Sequence, residues 1–235
     1  MDCKTAGASG RRNSRIKSIA SVLEGLTALT RWVQTWISAC VPDDMAHEWR
    51  VVLGIPLRKG SDGQDVRPIL IGESLMSLPG ACLQHIVQAK VKKLLHPSQF
   101  GISMVAGAES MIMLCKALAK LNPEDAFAAF DMVNAFGEIS RAEVLEEVID
   151  TMPELAPFLV QVWGGNGTQI FSNISACTWE EISLFDGLFQ GHNLSSVLFC
   201  LGLKRALKRF ELDGVDFVLY FCPDVFECFV QPVFS

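Results

Sequence analysis

Apolar residues near the start of the chain recur at helical spacing: Ile19, Val22, Leu23, Leu26, Leu29 and Val33 fall three or four positions apart within 14–39. That period lays them along one side of a helix. Cys40-Val41-Pro42 ends it, because the residue before a proline is pushed out of the α region. The pattern then shortens. Trp49 to Leu57 and Val66 to Ile71 are strand-length apolar runs on either side of Lys59-Gly-Ser-Asp-Gly63, a composition that turns a hairpin. From Ser74 to Leu95 the helical period returns, with Pro79 and Gly80 expected to kink the helix and Pro97 closing it.

Further along, a helix is predicted over 106–121 and a short buried strand over 126–131. Ser140-Arg-Ala-Glu143 is a capping box: the serine accepts from the N–H three residues on, and the glutamate reaches back. Pro153 ends the helix that follows, and another runs to about Trp163. After a turn at 164–167, residues 168–172 read as a strand, a helix starts at Asn193 or Ser195 and runs to about 210, and 216–221 is a last apolar strand. Strands and helices mix without a regular β-α-β alternation, which favours an α+β fold.

Half of the 235 residues are apolar, enough for a sizeable core and too many for wholesale disorder. The eight cysteines, at 3, 40, 82, 115, 177, 200, 222 and 228, form no C-x-x-C pair. In a chain this long they indicate free thiols in a reducing compartment, and the four histidines complete no zinc ligand cluster. No apolar run reaches the ~18 residues of a membrane span, and the N-terminus lacks the apolar core of a secretory signal. The expectation is an intracellular protein, nuclear or cytoplasmic, without a membrane partner.

The net charge of −6 hides an asymmetry: residues 1–120 balance at +6 and residues 121–235 at −12. A basic front and an acidic back suit a protein that grips a polyanion with one part and holds metal with another. The same counts also describe an ordinary solvated surface.

Within Phe130-Asp-Met-Val-Asn-Ala-Phe136, an apolar strand ends on the carboxylate Asp131. An acid there serves either as a turn residue bonding its own backbone or as a metal ligand on a rigid element. Other stretches bear on the choice: Ile55-Pro-Leu-Arg-Lys-Gly60 followed by Asp65-Val-Arg-Pro-Ile-Leu70, then Gln99-Phe-Gly101, then Gly187-Leu-Phe-Gln-Gly-His-Asn-Leu-Ser-Ser196. In this order and at these intervals, over roughly residues 41–221, they resemble the reverse transcriptases, especially those of non-LTR retrotransposons and group II introns.

The resemblance implies the fingers and palm of a right-hand polymerase. The palm is an antiparallel sheet flanked by helices, with Asp131 beside the 216–221 strand. It implies template-directed nucleotidyl transfer with an RNA template, a DNA primer and deoxynucleoside triphosphates, assisted by Mg²⁺ or Mn²⁺. Asp131 is then a metal ligand, Met132 lies near the triphosphate, and Phe136 packs under the sugar and excludes a 2′-hydroxyl. Arg67 neutralises the triphosphate together with Lys59, or Arg58 if the register differs by one, and Gln190 and Gly191 line the nucleotide pocket. Arg58 and the Arg11/Arg12 tail contact nucleic acid. Taken as segments, residues 1–13 form a mobile tail, 14–120 an N-terminal helix with the fingers-like region, 121–225 the palm-like region, and 226–235 a truncated or aberrant end with no thumb.

The sequence departs from the family at two places. Asn193 and Ser196 replace prolines after Gln190-Gly191. More seriously, Tyr220-Phe-Cys-Pro-Asp224 stands where the family has Tyr-x-Asp-Asp, so Cys222 and Pro223 replace both acids unless one inserted residue makes Asp224 the second metal ligand. The resemblance therefore implies impaired synthesis, or a non-enzymatic retroelement remnant that binds nucleic acid or a protein partner.

Overall fold

A computed structural model of the chain describes residues 7, 9–59, 65–102, 104–121, 123–124, 128–132, 134–165, 167–173, 178–189, 191–212, 217–222 and 227–232. Within them the helices are α1 (Asn13–Ala20), α2 (Leu23–Ile37), α3 (Asp43–Trp49), α4 (Ser74–Leu95), α5 (Gly107–Leu121), α6 (Ala135–Glu138), α7 (Arg141–Thr151), α8 (Ala156–Trp163) and α9 (Ser195–Leu212). The strands are β1 (Val51–Lys59), β2 (Asp65–Ile71), β3 (Ala128–Asp131), β4 (Gly167–Asn173), β5 (Thr178–Leu184), β6 (Phe217–Cys222) and β7 (Glu227–Pro232). The fold is mostly helical α+β, as the mixed pattern predicts.

Two sheets form. One runs β2-β1-β4-β5, antiparallel except for the parallel β1–β4 pair; the other, β3-β7-β6, is antiparallel throughout. The expected β1–β2 hairpin is present, with Leu57 facing Arg67 and Lys59 facing Asp65. The second sheet corrects one expectation. β6 does not lie beside Asp131; β7 is inserted between them. Residues 227–232, expected to fall outside the palm-like region, supply that central strand.

The single helix read over 14–39 divides in two. Val22 is extended, at φ −116° and ψ 148°, and α2 turns back so sharply that a Cβ on Gly25 would overlap the Ile19 carbonyl oxygen. Helical spacing continues across the break because each half keeps its own apolar face. Only Leu29 and Trp36 of that face are buried, while Ile19, Val22, Leu23 and Leu26 stay exposed.

The main core joins α4, α7, α8 and α9. Leu83, Val87 and Val91 of α4 meet Val144 and Val148 of α7, Phe158 and Leu159 of α8, and Leu194, Leu198 and Leu201 of α9 and its approach. Burying one such side chain stabilises by about 1.5–3 kcal/mol. At the α7–α9 seam, Arg205 gathers Glu143, Glu146, Glu147 and Asp150, its closest contact being 2.6 Å to Glu146.

Pro79 sits inside α4 and has no N–H, so the Leu75 carbonyl loses its partner four residues on. The Trp32 indole Nε1–H donates to that carbonyl at 3.2 Å. Trp32 is held for the task by Trp49, edge-on at a ring separation of 4.7 Å, and by Trp36 at 5.8 Å. The weak point of α4 is thus closed by a side chain of α2. Among the described residues, no helix is long and apolar enough to cross a membrane.

Candidate functional site

β3 ends at Asp131, whose backbone faces Glu227 in β7; Glu227 in turn faces Cys222 at the end of β6. Asp131, Glu227 and Cys222 thus form one transverse row of the sheet. The chain between β6 and β7 contains Asp224, which lies outside the described residues, as does Gln190. For Asp131, Arg58, Lys59 and Arg67 the structure describes the backbone alone. Among the residues whose side chains are described, no three His, Cys, Asp or Glu converge as a metal ligand set.

Immediately after β3, Met132 is half-buried against the main core. Asn134 adopts the left-handed conformation, φ 50°, a region asparagine tolerates better than most residues. This reversal starts α6 and turns Phe136 inward. Phe136 is buried, and its ring lies 4.9 Å from that of Phe199 on α9. Its carbonyl accepts from the Leu188 N–H at 2.6 Å. Phe136 is thus buried in the core and tied through its backbone to Leu188 in the segment 186–189.

That loop is bound at a second place. Asp186 Oδ1 accepts from the Arg141 N–H at 2.6 Å and from the Gly187 N–H at 3.0 Å. The Arg141 Nε–H donates back to the Gly187 carbonyl at 2.8 Å. The guanidinium carbon lies 5.7 Å from the Trp163 ring centre and 5.5 Å from that of Phe189. Burial lowers the Arg141 pKa and the Asp186 charge raises it in part; an arginine remains protonated in either case. Gly187 has φ +76°, and a Cβ there would sit 2.5 Å from the Gly137 oxygen. Sequence reasoning singled out neither Arg141 nor Asp186. The available signal was the Asp-Gly dipeptide at 186–187, a turn former, set before the Gln190-Gly191 stretch.

Beyond it, Gly191 has φ +101°, and the space its Cβ would take lies 3.6 Å from the Leu70 oxygen of β2. Gly191 therefore approaches the hairpin that carries Arg67, three residues earlier on β2, and Arg58 and Lys59 on β1. His192 packs its ring over Phe158 and against Gly80, next to Pro79 in α4, and Nδ1 accepts from the Leu194 N–H. Although one edge reaches solvent, desolvation of the ring pushes its pKa down to about 4. Asn193 donates to the Ser77 carbonyl at 2.7 Å, binding the loop to α4. Asn193 and Ser195 thus fix the start of α9 by polar contacts, Ser195 Oγ donating to the Phe189 oxygen at 2.6 Å.

The N-terminal arginines lie at the foot of the hairpin. The Arg11 carbonyl accepts from Ser74 Oγ, and its guanidinium lies 5.9 Å from the Trp49 ring. Arg12 is exposed at the start of α1. Ser9, just before them, bonds both carboxylate oxygens of buried Glu73, each at 2.6 Å. The structure thus ties Phe136 to Leu188 and sets Gly191 beside β2 of the hairpin.

This arrangement has solved counterparts. The fold is similar to telomerase from Candida tropicalis truncated of its C-terminal domain, with a TM-score of 0.54 and 12% identity over 79% of this chain and 44% of that one. It is similar to the Candida albicans enzyme in complex with a fragment of telomeric RNA, with a TM-score of 0.53 and 13% identity over 83% and 40%. The apo Candida tropicalis telomerase aligns with a TM-score of 0.54 and 12% identity over 80% and 39%. Telomerase is a reverse-transcriptase-related polymerase, so the fold is reverse-transcriptase-like. The aligned part spans about two-fifths of those chains. No protein-family model and no curated protein matches the sequence.

Proposed function

We propose that this chain is the fingers-and-palm portion of a reverse transcriptase of the non-LTR retrotransposon or group II intron type, one that binds nucleic acid and deoxynucleotides but extends primers poorly. The observation that carries the reading is a coincidence. A motif order that resembles reverse transcriptases occurs in a chain whose fold, at 12–13% identity, resembles telomerases. The RNA bound to the Candida albicans enzyme supports nucleic acid as the partner class.

In this reading Asp131 and Asp224 hold Mg²⁺ or Mn²⁺, since hard cations take oxygen ligands. Glu227, at the register position facing Asp131, adds a second acidic residue to the row, whereas Cys222 is a soft ligand mismatched to magnesium. When bound, the ions supply charge neutralisation at the triphosphate and activation of the attacking hydroxyl. Arg67 and Lys59, or Arg58, contact the triphosphate, Phe136 underlies the sugar, and Met132, Gln190 and Gly191 complete the pocket. Arg11, Arg12 and Arg58 meet the RNA template and DNA primer. Synthesis is weak because Cys222 and Pro223 stand where the acidic pair belongs. That replacement also favours a second reading, a retroelement remnant that only binds nucleic acid or a protein partner.

The test is primer extension on an RNA template with Mg²⁺ or Mn²⁺, using the chain and its Asp131→Ala variant, beside filter binding of the same duplex. Expected are salt-sensitive binding and near-background extension in both proteins. Robust extension that Asp131→Ala abolishes would overturn the impairment and make Asp131 a working ligand. Absence of nucleic-acid binding at low salt would overturn the reading as a whole.

A further inference from the structure

We infer that Arg141 and Asp186 form a clasp that sets residues 186–189 against Phe136 before any ligand arrives, making Arg141 a positioning residue for nucleotide binding. This rests on the nucleotide site proposed above and adds two residues to which the motif resemblance assigns no role.

The clasp is a closed circuit of three contacts. Asp186 Oδ1 takes the Arg141 N–H at 2.6 Å, the Arg141 Nε–H takes the Gly187 oxygen at 2.8 Å, and the Gly187 N–H returns to Asp186 Oδ1 at 3.0 Å. Arg141 opens α7, so its backbone N–H is one of the four that a helix leaves without an internal partner. A carboxylate at that end also meets the positive pole of the helix. Asp186 therefore attaches the loop to the start of α7 with one oxygen. The adjoining Leu188 N–H attaches it to Phe136. Because Gly187 has no room for a Cβ beside the Gly137 oxygen, loop and α6 meet backbone to backbone.

The choice of arginine points to geometry rather than bulk stability. The group is only 9% exposed, and its Nη2 has no hydrogen-bond partner among the described residues. Burying a cation incompletely paired costs free energy that a well-packed apolar side chain would not. What a planar guanidinium supplies is a donor edge on Gly187 together with a flat cation that the Trp163 and Phe189 rings approach at 5.7 and 5.5 Å. Phe189 directly precedes Gln190-Gly191. Fixing Phe189 and Leu188 thus fixes where the Gly191 wall stands relative to the Phe136 platform.

Two measurements test this on the full chain: deoxynucleoside triphosphate affinity, by competition with a fluorescent dATP analogue in Mg²⁺, and amide hydrogen exchange across 186–192. Asp186→Asn keeps an acceptor oxygen and is expected to hold both readouts near the parent values. Asp186→Ala and Arg141→Met are expected to speed exchange in 186–192 while α9 stays protected. They should also weaken nucleotide binding by about ten- to a hundredfold, the scale on which a small misplacement acts. Arg141→Lys retains charge without the planar fork and should fall with the losses. If exchange rises and affinity does not move, the positioning role is wrong although the nucleotide site stands. If the parent chain binds no deoxynucleotide, the site reading fails and takes this inference with it. Should Arg141→Met fail to fold, the Asp186→Asn and Asp186→Ala pair decides, because equal affinity in those two refutes the clasp.

Discussion

Trp32→Phe isolates one hydrogen bond that the fold requires for a definite reason. Phenylalanine keeps an aromatic ring against Trp36 and Trp49 but removes the N–H that serves the Leu75 carbonyl. Pro79 offers that carbonyl nothing, so the substitution leaves a backbone acceptor unsatisfied at a cost of about 1–3 kcal/mol. Some ring area is lost as well. The two effects separate in a double-mutant cycle with Pro79→Ala, where the alanine regains an N–H for Leu75 and the area loss is common to both backgrounds. The coupling should be about 1–2 kcal/mol, with Trp32→Phe costing less in the Pro79→Ala background. For a chain of this size about 1 kcal/mol moves Tm by 2–4 °C, so differential scanning fluorimetry resolves it and urea midpoints provide a second measure. If Trp32→Phe costs the same in both backgrounds, the indole does not substitute for the missing helix bond.

His192 titrates at about 4 in the fold against an ordinary 6.5. The unfolded chain therefore binds the extra proton first, and the stability from this site is complete above about pH 6.5 and lost as pH falls towards 4; urea midpoints over that range should slope less in His192→Gln. Gly187→Ala forces a side chain into φ +76° and against the Gly137 oxygen, and is expected to cost at least about 1–3 kcal/mol in chemical denaturation. A near-neutral result would mean the loop is free to move away. Filter binding of single-stranded RNA should fall with salt at a log–log slope of about 0.7 per phosphate contacted. Arg58→Ala should flatten that slope, and an unchanged slope would remove Arg58 from the interface.

The α4 helix was legible despite Pro79 because its apolar spacing continues on both sides, yet nothing local announces that the partner for Leu75 comes from Trp32, 43 residues away. The Ser140 cap was legible for the opposite reason: donor and acceptor are three residues apart, and the Ser140 Oγ accepts from Glu143 as expected, at 3.4 Å. β5 escaped because Glu180 and Glu181 interrupt its apolar alternation; its identity comes from pairing with β4. α3, with acids in its first turn, is too short for a helical period to show. The motif residues could be ordered along the chain, but the clasp joins positions 45 residues apart, each bond pairing a side chain with a backbone group that carries no sequence signature.

The place of β7 has a consequence for how the chain folds. Among the described residues, β3 and β6 pair with no strand except β7, and about a hundred residues separate β3 from it. Pairing so remote in sequence closes a long loop and forms slowly. A chain emerging from the ribosome can pack α4, α7, α8 and α9 while β3 still presents two open edges, which are a hazard for association with other chains. The strand that ends on Asp131 thus waits for β7 until the helical core around it has been made.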